Sequence, residues 1–308
     1  MAGAIGIGIS GESGSPRHAI GRGRAMLLSP ALLTILFFLV FPLGFVLVYS
    51  FLTPGTYGGI EWIFSTDAYV QFLFERDIFS QELLFSNAYL SIFGRSFLQA
   101  LAATIACFAI GFPTAYFIAT RPASQRSAWV FLVTVPYWIN LLIRTVSMLF
   151  IIRDEGPINY ALIAIGIIDE PLRIAYTDFA VGLGLVYSYL PFMVLPIYAA
   201  VERFDFRLME AAYDLYAGKW TILTRIILPI TRPGIVAGAL LVFIPSLGSF
   251  IAPDLLGGGK NLMIGNLIAL QFQGSRNWPF GSAAAVILMT IVLVVLVIFA
   301  RRQARQRV

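Results

Sequence analysis

Residues 179–201 read FAVGLGLVYSYLPFMVLPIYAAV, residues 202–232 read ERFDFRLMEAAYDLYAGKWTILTRIILPITR, and residues 233–253 read PGIVAGALLVFIPSLGSFIAP. The flanking stretches hold 23 and 21 residues without one Asp, Glu, Lys, Arg or His. Each is long enough to cross about 30 Å of hydrocarbon as an α-helix rising 1.5 Å per residue. The stretch between them gathers charged residues of both signs at helical spacing. A span, an amphipathic loop and a second span make a membrane-protein arrangement, and the rest of the chain extends it.

Outward from this segment, four more long charge-free gaps appear: Arg24 to Glu61, Arg95 to Arg121, Arg126 to Arg144, and Arg276 to Arg301. With the two already quoted, they predict an all-α membrane protein of six transmembrane helices. The composition agrees, with 59% hydrophobic and 12% charged residues among 308, against about 25% charged in soluble domains. The first apolar run, Met26 to Phe51, closes at the turn signal Thr53-Pro54-Gly55. It is too long for the hydrophobic region of a cleavable signal peptide. The third gap, 17 residues, is the shortest. Its helix is expected to continue past Arg144 toward Ile152, with Arg144 snorkelling at one end.

Basic residues favour the cytoplasmic side of a membrane. With the N-terminus inside, 14 of the 21 Lys and Arg residues fall in cytoplasmic segments and 11 of the 16 acids fall outside. The expected topology is therefore N-in/C-in, with 1–25 a disordered cytoplasmic tail, 26–300 a six-helix domain, and 301–308 a basic tail. This distribution accounts for the net charge of +5 without a nucleic-acid partner.

Enzymatic chemistry finds little to work with. The single cysteine, Cys107, lies within the second span and reads as core packing. The single histidine, His18, lies in the N-terminal tail, so the spans contain no imidazole for a proton relay, a metal or a nucleophilic dyad. Gly6-x-Gly8-x-x-Gly11 has no strand before it, and Gly257-Gly258-Gly259-Lys260 is followed by Asn261 rather than Ser or Thr. Neither is a nucleotide motif. Gly234-x-x-x-Gly238 spaces small residues for close helix approach, within the chain or toward a partner.

The loop 202–232 is the informative part. Asp205 can cap a helix starting at Phe206, and Gly218 can end it in the left-handed conformation, leaving a short helix from 206 to 217. Ala211 and Ala212 give it a small-residue patch, while Leu208, Leu215 and Tyr216 supply apolar contacts. Glu210 and Asp214, at i and i+4, repel in isolation and favour a cationic partner surface. A solvated surface helix and a docking helix both fit this pattern.

Glu210-Ala211-Ala212, with Pro229 nineteen positions after the glutamate and Ile226-Ile227-Leu228 before it, resembles the EAA loop of ABC-importer permeases. The similarity is nearest to the spermidine/putrescine (PotB-like) permeases. It extends to Pro136–Thr145 (PYWINLLIRT), Tyr189–Pro196 (YLPFMVLP), Leu255-Leu256-Gly257-Gly258, Met263-Ile264-Gly265 and Asn277-Trp278-Pro279.

The resemblance implies a type I importer permease in the bacterial inner membrane, forming half of a translocation pathway without covalent chemistry of its own. It implies a second, PotC-like permease, a PotA-like ATPase dimer that binds ATP and Mg, and a periplasmic PotD-like binding protein. No cofactor is expected in this chain. Glu210, Ala211, Ala212, Asp214, Leu215, Tyr216, Gly218 and Pro229 would form the ATPase-coupling element. Two positions depart from the family pattern. Tyr216 stands where the pattern has the glycine that bends the loop, so either the bend moves to Gly218 or the ATPase has a matching pocket for the tyrosine ring. Ser249 stands where the family often has glutamate.

Candidates for the solute pathway are Arg144, Tyr187, Tyr189, Ser246, Ser249 and Asp254. Arg144 can pair with Asp154 or Glu155 or meet solute. Tyr187 and Tyr189 can face an ammonium group or pack. Pro245–Ser249 should interrupt the fifth span near its middle and free backbone carbonyls there. Asp254, like Asp178, can cap a helix end. A polyamine is the leading solute; an amino-acid derivative or opine is the alternative, and a secondary carrier or channel the reading from another class.

Overall fold

The computed structural model describes residues 17–76 and 83–305. The Gly6–Gly11 motif and the first sixteen residues of the expected tail lie outside them. The element order is α1 (Arg17–Tyr49), β1 (Leu52–Pro54), β2 (Ile60–Phe64), α2 (Asp67–Val70), β3 (Phe74–Arg76), β4 (Leu83–Phe85), α3 (Ala88–Ala119), α4 (Ala123–Thr134), α5 (Leu141–Ile152), α6 (Pro157–Ala164), α7 (Asp178–Glu202), α8 (Arg207–Asp214), α9 (Lys219–Ile222), α10 (Leu228–Leu247), α11 (Ile251–Gly257), α12 (Ile264–Gln273) and α13 (Trp278–Arg305). The strands form two antiparallel pairs, β1 with β2 and β3 with β4.

Helix α1 opens at Arg17, so residues 17–25, expected to be disordered, are helical. Likewise α13 continues through Arg301 to Arg305, into the expected basic tail; residues 306–308 lie outside the described residues.

Among the described residues, five helical runs are long and apolar enough to cross a membrane: Leu28–Tyr49, Ala88–Ala119, Asp178–Glu202, Lys219–Leu247 and Trp278–Arg301. The sixth expected span is not one helix. Ala123–Trp138 and Leu141–Ala164 meet at a bend of 89°, so the helix does not run on from Arg126 past Arg144. Pro136 tightens the end of α4 into a 3₁₀ turn, and Ile139 and Asn140 become extended. The Asn140 side chain then accepts a hydrogen bond from the Leu142 N–H at 2.8 Å and starts a new helix.

Helices α3, α7 and α10 pack around a shared core that includes Cys107, Ala115, Ile118, Met193, Val194, Ile197 and Val242. Gly234 and Gly238 lie at the contact of α10 with α7. A Cβ on Gly234 would stand 2.5 Å from the Ala200 Cβ and 2.6 Å from the Pro196 carbonyl oxygen, and one on Gly238 3.0 Å from the Met193 sulfur. The small-residue motif therefore serves packing within the chain. Hydroxyls in the apolar helices bond to the carbonyl four residues back, as in Thr104 to Ala100 and Thr231 to Ile227 at 2.7 Å each. Away from water, this satisfies a polar group without a neighbouring helix.

Gly257–Lys260 is a helix end rather than a phosphate loop. Gly258 and Gly259 have φ of 62° and 72°, and Gly258 caps α11 in the left-handed conformation.

Candidate functional site: the loop helix and the crook of the bent helix

The loop after α7 folds by local rules. Asp205 accepts a hydrogen bond from the Arg207 N–H at 3.0 Å, as expected of the cap, but α8 covers only Arg207–Asp214, shorter than the predicted 206–217. It stops because Tyr216 itself turns left-handed, with φ of 59°. The Tyr216 N–H bonds to the Tyr213 carbonyl at 2.9 Å and the Ala217 N–H to the Ala212 carbonyl at 3.0 Å. This is a Schellman closure with Tyr216 in the position usually given to glycine. Gly218, the predicted bend, is extended at φ −68°, ψ 154°, and leads into α9.

Beyond α9 the chain forms a π turn at Leu223–Ile227 and then α10. Pro229 explains the turn. It has no N–H to donate, and its ring would crowd the carbonyl of Arg225, four residues back; the widened turn relieves both.

Ala212 is the buried anchor of α8, in the same core cluster as Phe204, Ala115, Ala119 and Ile222, with Phe206 and Met209 packed beside it. Met209 sulfur also accepts the Tyr116 hydroxyl at 3.7 Å. Glu202, at the base of the loop, accepts the Tyr198 hydroxyl at 2.7 Å and pairs with Arg126 at 3.6 Å. The other face is open: Glu210, Ala211, Asp214, Leu215 and Tyr216 are exposed, Tyr216 at 98%. Pro229 is also exposed. Of the eight coupling candidates, Ala212 points into the fold while the other seven lie on the surface.

The pathway candidates separate. Arg144 is 5% exposed, not snorkelling. Its guanidinium lies 5.2 Å from the Tyr137 ring and 5.9 Å from the Tyr187 ring. It joins no ion pair with Asp154, Glu155 or any other described acid; the ion pairs among the described residues include Arg95–Asp178 and Arg126–Glu202. Tyr137 packs edge-on against Phe192, which neighbours Tyr189. Sequence reasoning missed Tyr137, although its place seven residues before Arg144 in PYWINLLIRT was visible.

Contrary to expectation, Pro245–Ser249 does not break the fifth span near its middle; the span Lys219–Leu247 ends there and α11 follows, and some of the polar groups at the break are occupied. The Pro245 carbonyl accepts the Tyr189 hydroxyl at 3.3 Å, and the Phe250 carbonyl accepts the Asn266 amide at 3.0 Å. Buried Ser246 donates to the Val242 carbonyl at 2.7 Å. Gly265 lets α12 close over the break, since a Cβ there would stand 2.5 Å from the Ser249 carbonyl oxygen. Ser249 is half-buried, and Asp254 is exposed in the first turn of α11.

The structure of a bacterial ABC transporter that imports the acidic polysaccharide alginate matches with a TM-score of 0.69 at 19% identity, covering 94% of this chain and 99% of that one. That likeness establishes the fold. No family model matches the chain. The spermidine/putrescine transport system permease protein PotB of Escherichia coli (strain K12) is 41% identical over 252 residues, 82% of this chain and 87% of the relative. PotB of Haemophilus influenzae is 40% identical over 267 residues, covering 87% and 89%. The E. coli inner membrane ABC transporter permease protein YdcU is 32% identical over 227 residues, covering 69% and 71%.

The chain belongs to the PotB family of ABC transporter permeases. Permeases of this class are inner-membrane transport subunits rather than enzymes, and work with an ATPase and a periplasmic binding protein.

Proposed function

We propose that this chain forms half of the membrane pathway of an ATP-driven polyamine importer, with spermidine or putrescine as solute. The observation that carries the energy-coupling part is α8: a helix anchored in the core by Ala212, closed at both ends by its own hydrogen bonds, with Glu210, Ala211, Asp214, Leu215 and Tyr216 turned outward. A helix so held can transmit a push from an ATPase into α7 and α10, which flank it in the chain. The polyamine assignment is supported by the PotB relatives.

In this proposal both termini and α8 are cytoplasmic, and a PotA-like ATPase dimer binds α8 and holds ATP and Mg. A PotC-like permease completes the pathway, and a PotD-like protein delivers solute from the periplasm. The chain itself needs no cofactor. Co-expression with its operon neighbours, purification and reconstitution into liposomes test this directly. The expected result is uptake of labelled spermidine or putrescine that requires ATP and the ATPase. Uptake by this chain alone without ATP would replace the proposal with a secondary carrier.

A further inference from the structure

Arg144 is a buried cation without a counter-charge among the described residues. The side chain is 5% exposed, yet among the described residues its Nε and Nη1 have no hydrogen-bond partner, and Nη2 reaches only the Ile139 carbonyl at 3.5 Å. Its position adds to the imbalance: Arg144 lies in the first turn of α5, a twelve-residue helix, at the positive end of the helix dipole. The faces of Tyr137 and Tyr187 offset part of the cost, but an ion held out of water needs an ionic partner.

The charge-free spans of this chain contain no Asp or Glu to provide one. A polyamine is itself cationic and cannot serve. Tyr137 and Tyr187 are 45% and 38% exposed, so the rings flanking the guanidinium are still open to a neighbour.

We propose that a carboxylate from an adjoining permease subunit seats on Arg144 between Tyr137 and Tyr187, making this crook a charged lock between the two halves of the pathway. The inference rests on the importer reading for the presence of that second subunit. The lock also assigns Arg144 a role that does not oppose cation transport: the carboxylate neutralises it.

The test uses the full complex with its second permease. Arg144→Glu should reduce recovery of the paired permeases by roughly 100-fold, the scale of breaking a buried ion pair. Each Asp or Glu near a span of the second permease is then changed to Arg in that background. One such reciprocal change should restore pairing, and the same change with native Arg144 should not. Restoration by none of them, or full pairing of the Arg144→Gln complex, would overturn the lock. So would thermal stabilisation of the native complex by acetate that disappears in Arg144→Gln, which would assign the site to a free carboxylate solute. Pairing is read independently of uptake. A native complex that assembles but moves no polyamine would sink the solute assignment while leaving the lock intact.

Discussion

The loop helix α8 and the crook at residues 139–144 are both places where a helix starts beside apolar spans, and they resolve their polar groups in opposite ways. In α8, Asp205 caps the start, the Schellman bonds close the end, and Ala212 anchors one side. Its charged side chains face outward. At the crook, Asn140 caps the start, but the guanidinium that follows is buried and left with two unpartnered nitrogens. The first is a finished element with an open outer face, and the second leaves a buried polar group unsatisfied among the described residues.

This contrast can be broken at several points. Beyond Arg144, the largest effect should come from Glu210→Lys. Reversing the exposed charge on the docking face should lower polyamine uptake by at least roughly tenfold, while thermal unfolding of the detergent-purified chain is unchanged; equal uptake would remove Glu210 from the coupling face. Ala212→Leu attacks the buried side of the same helix. With Ala212 7% exposed, overpacking should cost about 1–3 kcal/mol, seen as a lower unfolding midpoint.

Asn140→Ala should cost about 1 kcal/mol through loss of the cap, with amide exchange accelerating in α5 and not in α8. The smallest effect belongs to Tyr216→Gly. It relieves a left-handed tyrosine, worth about 1–2 kcal/mol, against the about 0.5–1 kcal/mol that glycine loses in chain entropy. The expected net gain is a slight rise in midpoint. A fall would mean that the exposed ring makes a stabilising contact.

Much of the fold could be read from where charges are missing. The gaps Asp178–Glu202 and Arg276–Arg301 coincide with apolar helices, and Gly234 and Gly238 reported a real close approach. The bend at Ile139–Asn140 escaped because charge gaps measure polarity and not continuity; Pro136 and Asn140 within one apolar run were the available sign. Charge counting also placed Arg144 at a span end, whereas the bend turns it inward beneath Tyr137 and Tyr187.

In the candidate site, Asp205 was legible because capping is local chemistry. The bend at Tyr216 was not. Residue type favours glycine for positive φ, and Gly218 was nearby, yet the hydrogen bonds from Tyr216 and Ala217 hold the turn two residues earlier. Ser246 and the Pro245 carbonyl looked free in the sequence because their partners, Val242 and Tyr189, become apparent only in three dimensions.

Cross-linking from Ala211→Cys probes energy coupling through α8 most directly. The native Cys107 is fully buried, so the new exposed thiol is the reactive one. A thiol-to-amine cross-linker should join it to the ATPase subunit, with a yield that changes when ATP is added. Labelling of that cysteine by a membrane-impermeant maleimide from the periplasmic side of intact cells, or an absence of ATPase cross-links in the assembled complex, would contradict the account.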